Sequence, residues 1–151
     1  NGKFYNNTTT NYQGNVVRWW NCSIGTRKAV EIYNNICFNS RKYSAFEVAP
    51  QPYMYSLKGF LPTSLVKVYN NTVGRMNTDK DPYPGRLLDT YNSNTAIEFY
   101  NNVGFELDGN SLINKQGNTT AIDKGGNVYK KRMVEAVGTD LTSKVKTAGA
   151  K

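Results

Sequence analysis

The chain has 151 residues, with 19 Lys and Arg against 11 Asp and Glu, so its formal net charge is +8. Histidine is absent, which excludes Ser-His-Asp catalysis, Cys-His catalysis and every His-ligated metal site. No apolar run is long enough to span a bilayer, so we expect no membrane insertion. The content of aromatic residues and Asn is typical of strands and turns, and we expect one all-β domain.

One five-letter word occurs four times along the chain. The copies are "FYNNT" at residues 4–8, "IYNNI" at 32–36, "VYNNT" at 68–72 and "FYNNV" at 99–103. Unequal spacing around a constant core is typical of a solenoid whose coils keep their strands and vary their loops. In "VEIYNNI", apolar residues alternate with Glu31 and Tyr33, which predicts a strand with one buried face.

The Asn pair of the word predicts a corner and a ladder. Asn tolerates the left-handed backbone that a sharp corner needs, and its amide both donates and accepts hydrogen bonds. We expect stacked amides inside the solenoid at Asn6, Asn34, Asn70 and Asn101. The residues two before each Tyr alternate in sign, which favours parallel stacking with opposite charges on neighbouring strands. These residues are Lys3, Glu31, Lys67 and Glu98.

The repeated word resembles the coils of the right-handed parallel β-helix superfamily. That superfamily includes pectate-lyase-like polysaccharide lyases, polygalacturonase-like hydrolases and phage tailspikes. The resemblance covers residues 1–130 and implies three strands per coil, with about four coils visible and a C-terminal cap or tail at 131–151. Because the chain opens inside the first copy of the word, we expect a cleaved or excised later portion of a longer chain.

The resemblance also implies a strand order within each coil. The word forms the second strand, and the third strands begin at Thr8, Ile36, Thr72 and Val103. The first strands, which form the floor of the ligand groove in this superfamily, are expected from Val16, Ser44, Arg86 and Ser111. Two long loops, at residues 50–64 and 76–85, hold all five prolines and are expected to overhang this groove.

Aligning the predicted floor strands brings polar residues into one column. Glu47 and Asp89 fall on neighbouring coils, with Arg18 on one side of them and Asn114 on the other. In a glycoside hydrolase, one carboxyl would act as acid and base and the other as nucleophile. In a lyase-like enzyme, Glu47 and Asp89 would instead hold Ca²⁺ that bridges to a uronate, and a base would remove a proton.

The remaining candidates surround this column. Arg18, Lys58 and Arg86 are the candidate bases of the lyase. Trp20, Tyr91, Tyr53, Tyr55 and Tyr83 are the candidate substrate-binding residues. Each of these features also has a purely structural explanation. Glu47 and Asp89 could simply pair with Arg18 and Arg86 in a surface charge row, and the tyrosines of the repeated word could stack for stability rather than bind sugar.

Three functions stay open at this stage. We expect an extracellular enzyme that cleaves an acidic polysaccharide by β-elimination, since the basic charge suits an acidic polymer. The alternatives are a glycoside hydrolase and a non-catalytic glycan- or receptor-binding β-helix, such as a segment of a trimeric tailspike. Nucleic acid is not an expected partner, because the basic residues are not interleaved with aromatics on one strand.

Overall fold

The computed structural model describes residues 1–20, 22–24, 29–49, 60–62, 65–91, 96–117 and 121–134, with no side-chain description for 22–24 and 60–62. These residues form a right-handed parallel β-helix, as predicted. Three parallel sheets run along its axis, and each successive coil adds one strand to each sheet. No helix in the described ranges is both long and apolar enough to cross a membrane.

The sheet that contains the repeated word is called the word sheet. Its strands are β1 (Gly2–Tyr5), β5 (Ala29–Tyr33), β9 (Leu65–Tyr69), β12 (Ala96–Tyr100) and β15 (Ala121–Gly125). The second sheet follows the corner. Its strands are β2 (Thr8–Tyr12), β6 (Ile36–Ser40), β10 (Thr72–Gly74), β13 (Val103–Phe105) and β16 (Val128–Lys130). The first four strands of this sheet begin where the sequence predicted.

The third sheet is called the floor sheet. Its strands are β3 (Val17–Trp19), β7 (Phe46–Val48), β11 (Leu88–Tyr91) and β14 (Ile113–Gln116). Each begins one or two residues later than predicted. A further antiparallel pair, β4 (Cys22–Ile24) with β8 (Phe60–Pro62), joins the segments that follow β3 and β7. The sequence pattern did not predict this pair, because the prolines of residues 50–64 indicate a loop.

The buried Asn ladder exists, but our prediction of its members was wrong by one residue. Its members are the second Asn of each word together with one Asn from the next coil: Asn7, Asn35, Asn71, Asn102 and Asn127. Each Nδ2 donates to the next Oδ1 at 2.9 to 3.1 Å. Each backbone N–H donates to the same oxygen at 3.0 to 3.1 Å.

The first Asn of each word forms the corner instead. Asn6, Asn34, Asn70 and Asn101 all have positive φ, between 53° and 57°. A left-handed residue breaks the strict alternation of a strand, so the following side chain turns inward in its place. In the last coil, Gly126 takes this corner position with φ 72° and precedes Asn127.

The outward columns of the word sheet agree with the sequence analysis. Lys3, Glu31, Lys67 and Glu98 lie in register on neighbouring strands. Within this column, Lys3 forms an ion pair with Glu31 at 3.6 Å. Glu98 instead forms an ion pair at 2.6 Å with Lys124 of β15, which lies outside the column. The word's four tyrosines stack with ring centroids 4.9 to 5.0 Å apart and near-parallel planes. Because these rings cover one another's faces, the stack contributes to the stability of the sheet.

Apart from the Asn ladder, the interior of the described coils is largely apolar. Its fully buried members come from all three sheets: Ile32, Val66, Val68 and Ile97 from the word sheet, Phe46 and Leu88 from the floor sheet, and Val73 from the second sheet. After β16, Met133 packs against Phe38 and Phe105 of the second sheet in a separate buried cluster. The rest of the predicted cap, residues 135–151, lies outside the described residues.

Candidate functional site

The predicted polar column crosses the outer face of the floor sheet. Arg18, Glu47, Asp89 and Asn114 are Cα partners on four successive strands. The strands fold this way because Val17, Phe46, Leu88 and Ile113 point into the apolar interior, which turns the next residue of each strand outward. The alignment predicted from alternation is therefore confirmed, although the strand boundaries moved.

Glu47 has two donors on one of its oxygens. The Arg18 Nε atom lies 3.0 Å from Oε1, and the Tyr91 hydroxyl donates to the same oxygen at 3.1 Å. The residue is only 5% exposed. Because a buried carboxyl oxygen needs hydrogen-bond partners, these two donors satisfy Oε1.

Asp89 lies on the neighbouring strand in a different environment. It is 7% exposed, and its Oδ1 accepts a hydrogen bond from Asn114 Nδ2 at 2.7 Å. Burial raises the pKa of its carboxyl; the Asn114 hydrogen bond opposes this shift and the charge of Glu47 adds to it. Two adjacent carboxyls thus differ in character, since among the described residues Glu47 has a cationic partner and Asp89 has an amide.

Tyr91 follows these residues on β11 and keeps its proton. Burial, followed by the charge and hydrogen bond of Glu47, raises the pKa of its hydroxyl to about 12. The phenol therefore stays a hydrogen-bond donor at neutral pH. Its hydroxyl donates to Glu47 Oε1, so we assign Tyr91 a positioning role.

A cavity of about 420 Å³ opens over these groups. It is lined by Arg18, Tyr43, Glu47, Tyr83, Asp89, Tyr91 and Gln116. Of these, Tyr43 and Gln116 were missed by the sequence analysis. Gln116 is the Cα partner of Tyr91, so the same alignment contained the signal for it. Tyr43 precedes its strand, at a corner with φ 65°, and no sequence pattern marked it.

Two other candidates lie away from the cavity. The Arg86 guanidinium donates to the backbone oxygen of Ser111 at 3.0 Å, and it does not join the cavity lining. Trp20, which is 40% exposed, follows the end of β3 and also lies outside that lining. The structure therefore does not bring either residue to the carboxyl pair. Tyr53, Tyr55 and Lys58 lie outside the described residues.

The described residues alone do not fit a calcium ion. Ca²⁺ takes six to eight oxygen ligands. Here Arg18 and Tyr91 donate to Glu47, and the Asn114 amide donates to Asp89. Within the described ranges, no group of three or more acidic or thiol side chains could hold a metal ion.

Comparisons with protein-family models, curated proteins and solved structures found no match to this chain.

Proposed function

We propose that this protein hydrolyses glycosidic bonds in a polysaccharide, with Asp89 as the acid and base and Glu47 as the nucleophile. The observation that carries the proposal is the pairing of two buried carboxyls on neighbouring strands in unequal environments. A raised pKa lets Asp89 hold a proton for donation, while Arg18 balances the negative charge of Glu47.

The spacing of the strands favours a double-displacement reaction. Neighbouring strands lie about 4.8 Å apart, and retaining glycosidases hold their carboxyls about 5 to 5.5 Å apart. Both donors to Glu47 bind Oε1, so we assign the attack to Oε2. On Asp89, Asn114 occupies Oδ1, so we assign the proton to Oδ2.

The reaction then runs in two steps. Asp89 gives its proton to the glycosidic oxygen as the bond to the anomeric carbon breaks, and Glu47 Oε2 bonds to that carbon. Asp89 next takes a proton from water, whose oxygen attacks the same carbon and releases the Glu47 carboxylate. One water is consumed, and both side chains return to their starting states.

The β-elimination alternative has less support from the described residues. It needs a free Lys or Arg near the carboxyl pair to remove the proton. Arg18 is bound to Glu47 and to Asn15 Oδ1 at 3.0 Å, and Arg86 is bound to Ser111. The lyase therefore depends on Lys58, which lies outside the described residues.

The substrate class rests on charge and on the resemblance of the coils. The net charge of +8 attracts an acidic polymer, which favours an acidic polysaccharide over a neutral one. The repeated word is similar to coils of the parallel β-helix superfamily, many of whose members act on or bind glycans. Such polymers are met outside the cell, so we propose an extracellular site of action.

The test is release of reducing ends from pectin, alginate, chondroitin sulfate and capsular polysaccharide. Asp89→Asn and Glu47→Gln should each lower the rate by about 10² to 10⁴. Glu98→Gln is the matched control, because Glu98 is also ion-paired on an outer face but lies on the word sheet. Full activity of both site variants would refute the proposal, and binding of a polymer without cleavage would favour the non-catalytic alternative.

A further inference from the structure

Two of the tyrosines that line the cavity contact each other. The rings of Tyr43 and Tyr83 meet edge to face, with centroids 5.3 Å apart and planes at 61°. Both line the cavity that contains Glu47 and Asp89. Tyr83 is 58% exposed, so the apolar interior does not account for its position.

The loop that carries Tyr83 is tied down by one buried amide. Asn77 Nδ2 lies 2.8 Å from the backbone oxygen of Asp81, 2.9 Å from that of Tyr83 and 2.8 Å from Asp108 Oδ2, so its two N–H groups are shared among three acceptors. Its Oδ1 accepts the backbone N–H of Asp81 at 3.0 Å. Asn77 has φ 56°, a conformation that Asn tolerates better than most residues. One side chain thus fixes the backbone at Tyr83 itself.

Asp108, from the next coil, holds the same loop, and we call the two residues together the Asn77–Asp108 clasp. Its Oδ2 also accepts the backbone N–H of Gly85 at 3.1 Å, and its Oδ1 pairs with Lys80 at 3.2 Å. On the other side of the loop, Ser44 Oγ donates to the backbone oxygen of Pro84 at 3.0 Å. The segment around Tyr83 is therefore held from two neighbouring coils.

An exposed aromatic ring held rigidly beside a polar cavity is a pre-organised binding surface. Binding then loses little conformational entropy, because the loop is already ordered. The electron-rich face of a tyrosine attracts polarised C–H groups, and a pyranose ring presents a face of such groups. Phenol hydroxyls at the rim can also bond to sugar hydroxyls.

We propose that Tyr43 and Tyr83 form an aromatic subsite that binds the sugar ring next to the bond cleaved by Asp89 and Glu47. The Asn77–Asp108 clasp is the positioning element that keeps Tyr83 in this place. The identity of the ligand as a sugar rests on the proposed function, but binding at the subsite is separable from cleavage. Its energy should therefore appear in substrate affinity rather than in the chemical step.

The test compares cleavage and binding in the same variants. Tyr83→Ala should raise KM about tenfold and leave kcat within about threefold, whereas Tyr83→Phe should keep most of the affinity. Tyr5→Ala is the matched control, since Tyr5 is also exposed but lies at the end of the word-sheet stack. Asn77→Ala should raise KM as well, and should add little in a Tyr83→Ala background, because both changes remove the same ring contact.

Calorimetric titration with the four polysaccharides separates the two proposals. Binding by the Glu47→Gln variant that weakens about tenfold on adding Tyr83→Ala would support the subsite even if the wild type cleaved nothing. Cleavage that depends on Asp89 but has the same KM in Tyr83→Ala would overturn the subsite and leave the hydrolase standing. Absence of both binding and cleavage would overturn both.

Discussion

Replacing Asn71 by Ala removes the central side chain of the Asn ladder. Asn71 is fully buried. Its Oδ1 accepts from the backbone N–H and Nδ2 of Asn35 at 3.1 and 2.9 Å. Its Nδ2 donates to the backbone oxygen of Ile32 at 3.0 Å and to Asn102 Oδ1 at 3.1 Å. The substitution therefore deletes four hydrogen bonds and leaves their partners buried.

The expected loss of stability follows from the free energy that each hydrogen bond contributes. A hydrogen bond contributes a net of about 1 kcal/mol, and a buried partner left without its bond costs at least as much. At about 1 kcal/mol for each of the four deleted bonds, the free energy of unfolding should fall by about 4 kcal/mol. With a urea slope of about 2 kcal/mol per molar, the midpoint of unfolding should fall by about 2 M. Circular dichroism during urea titration measures this midpoint.

The adjacent residue supplies the control. Asn70 is exposed, has φ 54° and sits at the corner, so Asn70→Gly keeps the backbone conformation and should cost less than about 1 kcal/mol. A small loss in Asn71→Ala would refute the account of the ladder. Equal losses in the two variants would show that the corner and the ladder do not have separate roles.

Three further predictions concern single side chains. Gly74→Ala should destabilise the fold by about 1 to 3 kcal/mol, seen as a lower Tm, because the added Cβ would overlap the ring of Phe105. Burial raises the pKa of Asp89, so the folded state binds its proton more tightly than the unfolded state, and wild-type stability falls as pH rises from 3.8 through the raised pKa. Asp89→Asn should therefore be more stable than wild type at neutral pH and should lose this advantage below pH 3.8. Urea midpoints of both proteins at the two pH values measure the difference. An advantage of the variant at low pH alone would contradict the prediction. Burial raises the pKa of the Cys37 thiol to about 12. In a Cys22→Ser variant, a thiol reagent should therefore label Cys37 only after urea is added. Fast labelling without urea would contradict the burial of Cys37.

The sequence predicted the coil architecture because its signal repeats. Four copies of one word gave the strand that precedes each corner, and alternation gave the register of the floor sheet. The ladder was misplaced by one residue because either Asn of "NN" suits both roles by composition. Only the backbone distinguishes them: the first Asn adopts positive φ, so the second points inward.

The site was predictable mainly where it belongs to the regular strands, although Tyr83 was also a candidate and lies on the loop at residues 76–85. Glu47, Asp89 and Arg18 were aligned by period-two alternation, and Gln116 lay in the same register. Tyr43 and the Asn77–Asp108 clasp could not be predicted, because loop geometry depends on contacts between coils that no local sequence pattern encodes. The position of Arg86 outside the cavity lining was not predictable for the same reason, since its partner Ser111 lies on the next coil.

The most direct test of the proposed hydrolysis is mass spectrometry of the products formed in water labelled with heavy oxygen. Hydrolysis predicts that each new reducing end carries one labelled oxygen, and that Glu47→Gln and Asp89→Asn abolish this product. Products that are lighter by one water and carry no label would be unsaturated ends formed by β-elimination, and they would contradict the roles assigned to Glu47 and Asp89.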